Sequence, residues 1–267
     1  MRNLLIDFVS TASIEVTPHD RDALTSLVGR VPANSAVYIT HTPNATSADV
    51  AGVACAVESL GFRAFPHIVA RRIESEKSFA AALDMLDSGA LVSAGISTIG
   101  VAGHPEGHKR IGSTLLWKSL RQKQDYAELT GARIHIVSQF GFDPGALVDW
   151  ERQLVEHGIT LPVHVGIAGP ASLRTLIKYA MLCGIGASLN ALMTKLSAIS
   201  SVKHLVTSAD EMLLHIVRAR EGALARRIVQ PHFFSFGGVQ QTVQWLQAIR
   251  AGRFIIDSNS GTLVVNP

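Results

Sequence analysis

Three polar side chains recur at every second position in Gly103-His104-Pro105-Glu106-Gly107-His108. On an extended segment His104, Glu106 and His108 would share one face. Imidazole, carboxylate, imidazole is a donor set for a metal ion, and a metal-dependent hydrolase is one function it would serve. The same residues also suit a polar loop against a cofactor, or a plain surface turn. A second kind of chemistry sits in Ser13-Ile14-Glu15-Val16-Thr17-Pro18. Glu15 lies inside an apolar stretch, so it either faces solvent at an edge or points into an apolar mouth. In a mouth, burial would raise its pKa and suit it to general-acid work. Gln139, in Ser138-Gln139-Phe140-Gly141-Phe142-Asp143, offers a donor and an acceptor to a flat heterocyclic amide. Thr40-His41-Thr42-Pro43-Asn44 supplies small polar groups, and Pro66-His67 a histidine that is either a core residue or a ligand contact. Gly166-Ile167-Ala168-Gly169-Pro170 and Gly237-Gly238 would let backbone approach a ligand. No phosphate-binding P-loop, no G-x-G-x-x-G and no Ser-His-Asp order is found.

These residues need elements that hold them at one edge. Apolar runs alternate with amphipathic ones along the chain. Strands are expected at Ser13 to Thr17, Ala36 to His41, Arg63 to Ala70, Thr98 to Gly103, Ile134 to Phe140, Val163 to Ala168 and Phe233 to Phe236. Helices are expected at Asp20 to Gly29, Ser47 to Leu60, Glu74 to Ser93, Ser113 to Thr130, from Asp143-Pro144 through His157, after Ser172, over Asn190 to Glu221 and at Gln240 to Ile249. Ser47 and Ser172 read as N-caps, and Asp143-Pro144 as a cap followed by proline in the first turn. The strands are near-continuously apolar, as parallel strands buried on both faces are. Repeated βα units without a linker predict one α/β domain over 1–267, a (β/α)8 barrel of the TIM type, with chemistry at the carboxyl ends of its strands. Seven strands are counted where eight are needed. Either the barrel has lost one βα unit near residues 74–78, or the sequence lacks a segment of the natural chain there.

Composition narrows the classes. Of 267 residues, 47% are hydrophobic and 17% charged, which excludes a disordered chain. The net charge of +3 is scattered, with no basic run longer than the pairs Arg71-Arg72, Lys109-Arg110 and Arg226-Arg227, so no nucleic-acid footprint is expected. The uncharged run Ser88 to Pro105 is broken by four glycines and does not read as a membrane span. The apolar stretch of Met1 to Asp7 is too short for a signal peptide. Two cysteines, Cys55 and Cys183, in apolar surroundings exclude a cysteine metal cluster and point to a reducing cytoplasm.

Taken in order, Glu15 to Pro18, the Thr40 loop, Pro66-His67, Val101 to His108, Ser138 to Asp143 and Gly166 to Pro170 resemble the methylenetetrahydrofolate reductase family, over about Ser13 to Phe236. The resemblance implies a flavin-bearing barrel, with FAD as cofactor and NAD(P)H as electron partner. It would interconvert 5,10-methylenetetrahydrofolate and 5-methyltetrahydrofolate, and copies of the chain would associate. By position Glu15 resembles the family's general acid and Gln139 the residue that binds the pterin. Thr40, His67, His104, Glu106 and His108 fall on flavin-lining positions, and Lys123 is the nearest counterpart of a lysine on the cofactor phosphate. Leu173 replaces a phenylalanine that stacks on folate or nicotinamide. The family's aspartate-bearing loop between the third strand and the His-Pro-Glu strand has no match here, and an arginine near the last strand end is replaced around Gly237-Gly238. These departures bear on the nicotinamide site, so oxidation of methyltetrahydrofolate in methyl-group catabolism is an expected direction beside reduction. A folate-binding barrel without flavin is the remaining alternative.

Overall fold

The computed structural model describes residues 1–42, 44–67, 98–108, 110–185, 208–222, 224–257 and 263–266. Within them seven strands form one parallel sheet: β1 (Ser13–Val16), β2 (Ala36–Ile39), β3 (Arg63–Pro66), β4 (Thr98–Gly103), β5 (Arg133–Ser138), β6 (Val163–Ala168) and β7 (Ile228–Phe234). Their order across the sheet is β3-β2-β1-β7-β6-β5-β4. Strand β1 pairs with both β2 and β7, the pairing that joins the first and last strands of a barrel.

The sheet is curled. β2 and β5 stand four strands apart in sheet order, roughly 19 Å across a flat sheet at 4.7–4.9 Å per strand. Yet the Tyr38 hydroxyl of β2 lies 2.7 Å from His135 Nε2 of β5. The Phe65 ring on β3 is 6.4 Å from His135 as well. Residues Ser13, Glu15, Tyr38, Phe65, His135, His164, His232 and Phe234 therefore face a common interior. The order and curvature are those of a TIM-type barrel, with β3 and β4 as its two edges among the described residues. The expected gap at 74–78, the helix over Glu74 to Ser93 and the first part of Asn190 to Glu221 lie outside the described residues.

Alternate positions turn outward and make the main core. Ile14, Val16, Val37, Ile39, Ile136, Val163, Val165, Ile167 and Phe233 are buried beneath the helices. They meet Leu5, Phe8 and Val9 of α1 (Arg2–Ser10), Trp150 and Leu154 of α4 (Pro144–Glu156), Leu213 and Val217 of α6 (Ser208–Glu221), and Val243 and Leu246 of α7 (Val239–Arg250). Burial of each such side chain contributes about 1.5–3 kcal/mol, so this layer holds the barrel wall in register.

Local chemistry sets the helix starts. Helix α2 (Ser47–Ser59) opens on a capping box: Thr46 Oγ1 accepts from the Asp49 N–H at 3.1 Å, and Asp49 Oδ2 accepts from the Thr46 N–H at 2.8 Å. The cap is thus Thr46, one residue before the expected Ser47. Asp143 Oδ1 accepts from the Gly145 N–H at 2.8 Å ahead of Pro144, as expected. Ser172 caps α5 (Leu173–Cys183), and α3 covers Ser113–Thr130. Three elements differ from expectation. Pro18–Leu27 is a 3-10 segment opened by Pro18 and a Thr17–Asp20 capping box. Helix α1 precedes the first strand, and a small antiparallel pair, β8 (Phe254–Ile256) with β9 (Leu263–Val265), follows the barrel. Cys55 and Cys183 are both exposed.

Candidate active site

The carboxyl ends of β1, β2, β3 and β7 bring Glu15, Thr40, His67 and His232 together. Glu15 follows Ser13 by two residues and so points inward with it; its side chain is 15% exposed. Its Oε2 lies 3.7 Å from His67 Nε2 and 3.7 Å from His232 Nε2. His232 is fully buried and is held from behind: its Nδ1 is 2.9 Å from the Ser13 hydroxyl. Tyr38 and Phe234 flank the His232 ring at 4.6 and 4.8 Å between centroids. Ser235 Oγ donates to the Glu15 carbonyl at 2.6 Å and ties the strand ends together.

The electrostatics reverse one expectation. Burial would raise the Glu15 pKa. The His232 contact, the fields of His67 and His232 and the Thr40 hydroxyl outweigh it, so the carboxyl sits below its usual value. Glu15 is therefore a carboxylate at neutral pH in this structure, not a proton-loaded acid. The apolar neighbours in sequence gave the wrong sign because the side chains that surround it come from β2, β3 and β7. His67 is held below its usual pKa, chiefly by burial, against the pull of Glu15.

Among the described residues three buried polar atoms at this mouth have no partner within hydrogen-bond distance: Thr40 Oγ1, Thr42 Oγ1 and His232 Nε2, the last 3.7 Å from Glu15 Oε2. A buried polar group left unpaired costs about 1–3 kcal/mol, so the cluster suits a polar ligand or ordered water.

The other expected residues fall into two neighbouring groups. His104 and His108 stand edge to face at 5.3 Å. His104 is held at about 4 by burial, then by the charges of His108 and Lys123. The Lys123 ammonium is pushed below its usual pKa by burial. Glu106 instead lines a shallow hollow with Gln139, Phe140, Gly166 and Met212. Among the described residues no three His, Cys, Asp or Glu side chains are arranged to hold a metal ion, so the metal reading of His104, Glu106 and His108 has no support. The reason lies in the backbone: Gly107 adopts φ +79° and breaks the common face after Glu106.

Gln139 stands just past β5, where its backbone N–H donates to Gly103 O at 2.9 Å and its side-chain amide donates to Cys183 O at 3.3 Å. Leu173 packs beside a second apolar cluster of Phe140, Phe142, Ala168, Leu176 and Ala180. The Phe234 ring links the groups. Phe234 pairs in register with Glu15, and its ring, with the Ser138–Gln139 backbone, occupies the space above Gly166.

Sequence reasoning missed His232, Ser13 and Phe234 as site residues. Alternation in Ile228–Phe234 puts Gln230, His232 and Phe234 on one face, but a strand begun at Phe233 leaves the histidine outside.

Two comparisons bear on this arrangement. A solved structure described as an uncharacterized protein from Clostridium thermocellum that binds two copies of 5-methyl-5,6,7,8-tetrahydrofolic acid superposes with a TM-score of 0.56 at 11% identity, covering 88% of this chain and 95% of that one. The dihydropteroate synthase of Thermus thermophilus gives a TM-score of 0.44 at 14% identity, over 87% of this chain and 90% of its own. The first shows a shared fold. The profile of one protein family, methylenetetrahydrofolate reductase, matches residues 66–234, well over half the chain and inclusive of β4 to β7 with His67, Gln139 and His232. The chain belongs to the methylenetetrahydrofolate reductase family.

Proposed function

We propose that this protein is a flavin-dependent oxidoreductase that interconverts 5,10-methylenetetrahydrofolate and 5-methyltetrahydrofolate, with Glu15 carrying the proton. One observation carries the reading: a nearly buried carboxylate between the imidazoles of His67 and His232, beside Thr40 and Thr42 hydroxyls that have no hydrogen-bond partner among the described residues, at the carboxyl mouth of the sheet. Family membership and the folate bound by a protein of the same fold support a tetrahydrofolate substrate.

The unpaired hydroxyls fit a polar cofactor. Thr40, His67, His104, Glu106, His108 and Lys123 are the residues that would hold FAD. Bound flavin would exchange hydride with the one-carbon unit. The chain itself handles the proton and the substrate. In reduction, protonated Glu15 gives H⁺ to a ring nitrogen of the methylene bridge. That C–N bond breaks and leaves a methylene iminium, which accepts the hydride. In oxidation, the 5-methyl group gives up hydride. The second nitrogen then closes on the iminium carbon, and its proton passes to the Glu15 carboxylate. The ionised resting state of Glu15 suits the oxidative direction. His67 and His232 neighbour the carboxylate and would supply or remove its proton between turnovers. Gln139 would bind the pterin amide, exchanging its bond to Cys183 O for one to the ring.

The test is a visible spectrum of the freshly purified full chain, followed by turnover of 5-methyltetrahydrofolate with an artificial electron acceptor. A flavin spectrum and turnover are expected. Glu15→Gln should lower the folate step at least 100-fold while sparing flavin reduction by a competent donor. Equal loss of both steps would make Glu15 structural. Folate binding without flavin or turnover would replace the enzyme by a folate-binding barrel.

A further inference from the structure

At the opposite, amino-terminal end of the sheet a second cavity of about 250 Å³ opens. Its rim is made by the first residues of β2, β3, β4 and β5: Ala36, Arg63, Thr98 and Arg133. Its floor is aromatic. Tyr38 stacks on Phe65 at 4.8 Å with 17° between planes, and His135 stacks on His164 at 3.9 Å with 24°. The Glu15 mouth lies at the other end of the same strands; the two share Tyr38, whose ring faces this cavity and also flanks His232.

The lining is neutral except for its arginines. Burial holds His135 at about 4 and His164 at about 2, and it pushes the Tyr38 phenol above its usual value. The Arg63 guanidinium carbon stands 5.6 Å from the centroid of the Phe65 ring, on the cavity wall. Its Nε donates to Asn34 O at 3.0 Å, and both terminal nitrogens are without a hydrogen-bond partner among the described residues. His135 is 3% exposed; Tyr38 meets its Nε2, while its buried Nδ1 has no partner. A guanidinium thus borders flat aromatic walls, in a space smaller than a drug-sized pocket.

We infer that this cavity is a second binding site, for a small aromatic carboxylate. The carboxylate would take the two-pronged bond that a guanidinium offers. The planar body would lie against the Tyr38–Phe65 and His135–His164 stacks.

The probe is benzoate, titrated into the ¹⁵N-labelled full chain and followed by the ring signals of His135 and His164. Inorganic phosphate and cyclohexanecarboxylate serve as comparisons. Saturable benzoate binding that shifts both rings is expected, with cyclohexanecarboxylate and phosphate each at least fivefold weaker. Arg63→Gln, at an exposed position, should keep the fold by circular dichroism and weaken benzoate at least tenfold. Phe65→Leu should weaken benzoate and leave phosphate unchanged. No saturable shift, equal affinity for phosphate, or benzoate binding unaffected by Arg63→Gln would each overturn the inference. Turnover of 5-methyltetrahydrofolate, measured alongside, reports on the other mouth and stands or falls independently.

Discussion

Glu15 shows how a residue's role depends on neighbours distant in sequence. The alternation around Ser13-Ile14-Glu15 was enough to turn it inward. Its charge state was not legible there, because the His232 imidazole that helps hold it is anchored across 219 residues by the Ser13 hydroxyl. If His232 lowers the Glu15 pKa as the 3.7 Å contact indicates, His232→Asn should raise it. A ¹³C titration of labelled glutamate carboxyls in the ligand-free protein measures this directly. An upward shift is expected, and the acidic limb of oxidative turnover should move up with it, since only the carboxylate accepts the proton. A Glu15 titration curve that does not move would assign its low pKa to His67 and Thr40 alone. Ser13→Ala tests the anchor: it leaves both rings in place and should produce the same shift, smaller in size.

At the scale of elements, what could be read was whatever one element decides by itself. The continuous apolar runs of β4 and β6 gave both strands with their ends, and the Asp143-Pro144 pair gave the start of α4. Contacts between elements were hidden, and they place Gln139. A side chain at Gly166 on β6 would run into the Ser138 carbonyl, the Phe234 ring at 2.7 Å and the Gln139 carbonyl carbon at 2.8 Å. Two of these are backbone atoms and cannot step aside. Gly166→Ala should therefore cost about 1–3 kcal/mol by overpacking and push Gln139 out of line. Chemical denaturation measures the first effect. The second should raise the KM for 5-methyltetrahydrofolate more than it lowers kcat. A stability loss with unchanged KM would show that Gln139 does not depend on this packing. The 3-10 segment at Pro18–Leu27 was hidden because its apolar spacing and its Thr17–Asp20 box fit an α-helix equally well.

For the whole molecule, the unusual feature is a barrel interior lined by imidazoles where bulky branched side chains are the norm. His135 and His164 are held at about 4 and about 2, with burial the largest cause in each. Histidine titrates near 6.5 in an unfolded chain, so the unfolded state takes up these protons first as pH falls. Their stabilising contribution is complete above pH 6.5 and is lost on acidification from 6.5 toward 4. Near pH 5 the pair gives a slope of roughly 2–3 kcal/mol per pH unit. One group works the other way. Asp210 on α6, bonded to Trp245 Nε1 of α7 at 3.0 Å, is raised by burial to about 7. Its folded pKa exceeds the unfolded one, so between about 4 and 7 it favours the fold increasingly as pH falls and offsets part of the histidine loss. Urea denaturation at pH 7, 6 and 5 should show stability falling steadily. Asp210→Asn keeps an acceptor for Trp245 and removes the proton site, so it should steepen that fall. Stability that stays level from pH 6.5 to 5 in Asp210→Asn would mean that the interior histidines accept protons without cost. The polar interior would then be hydrated, not dry.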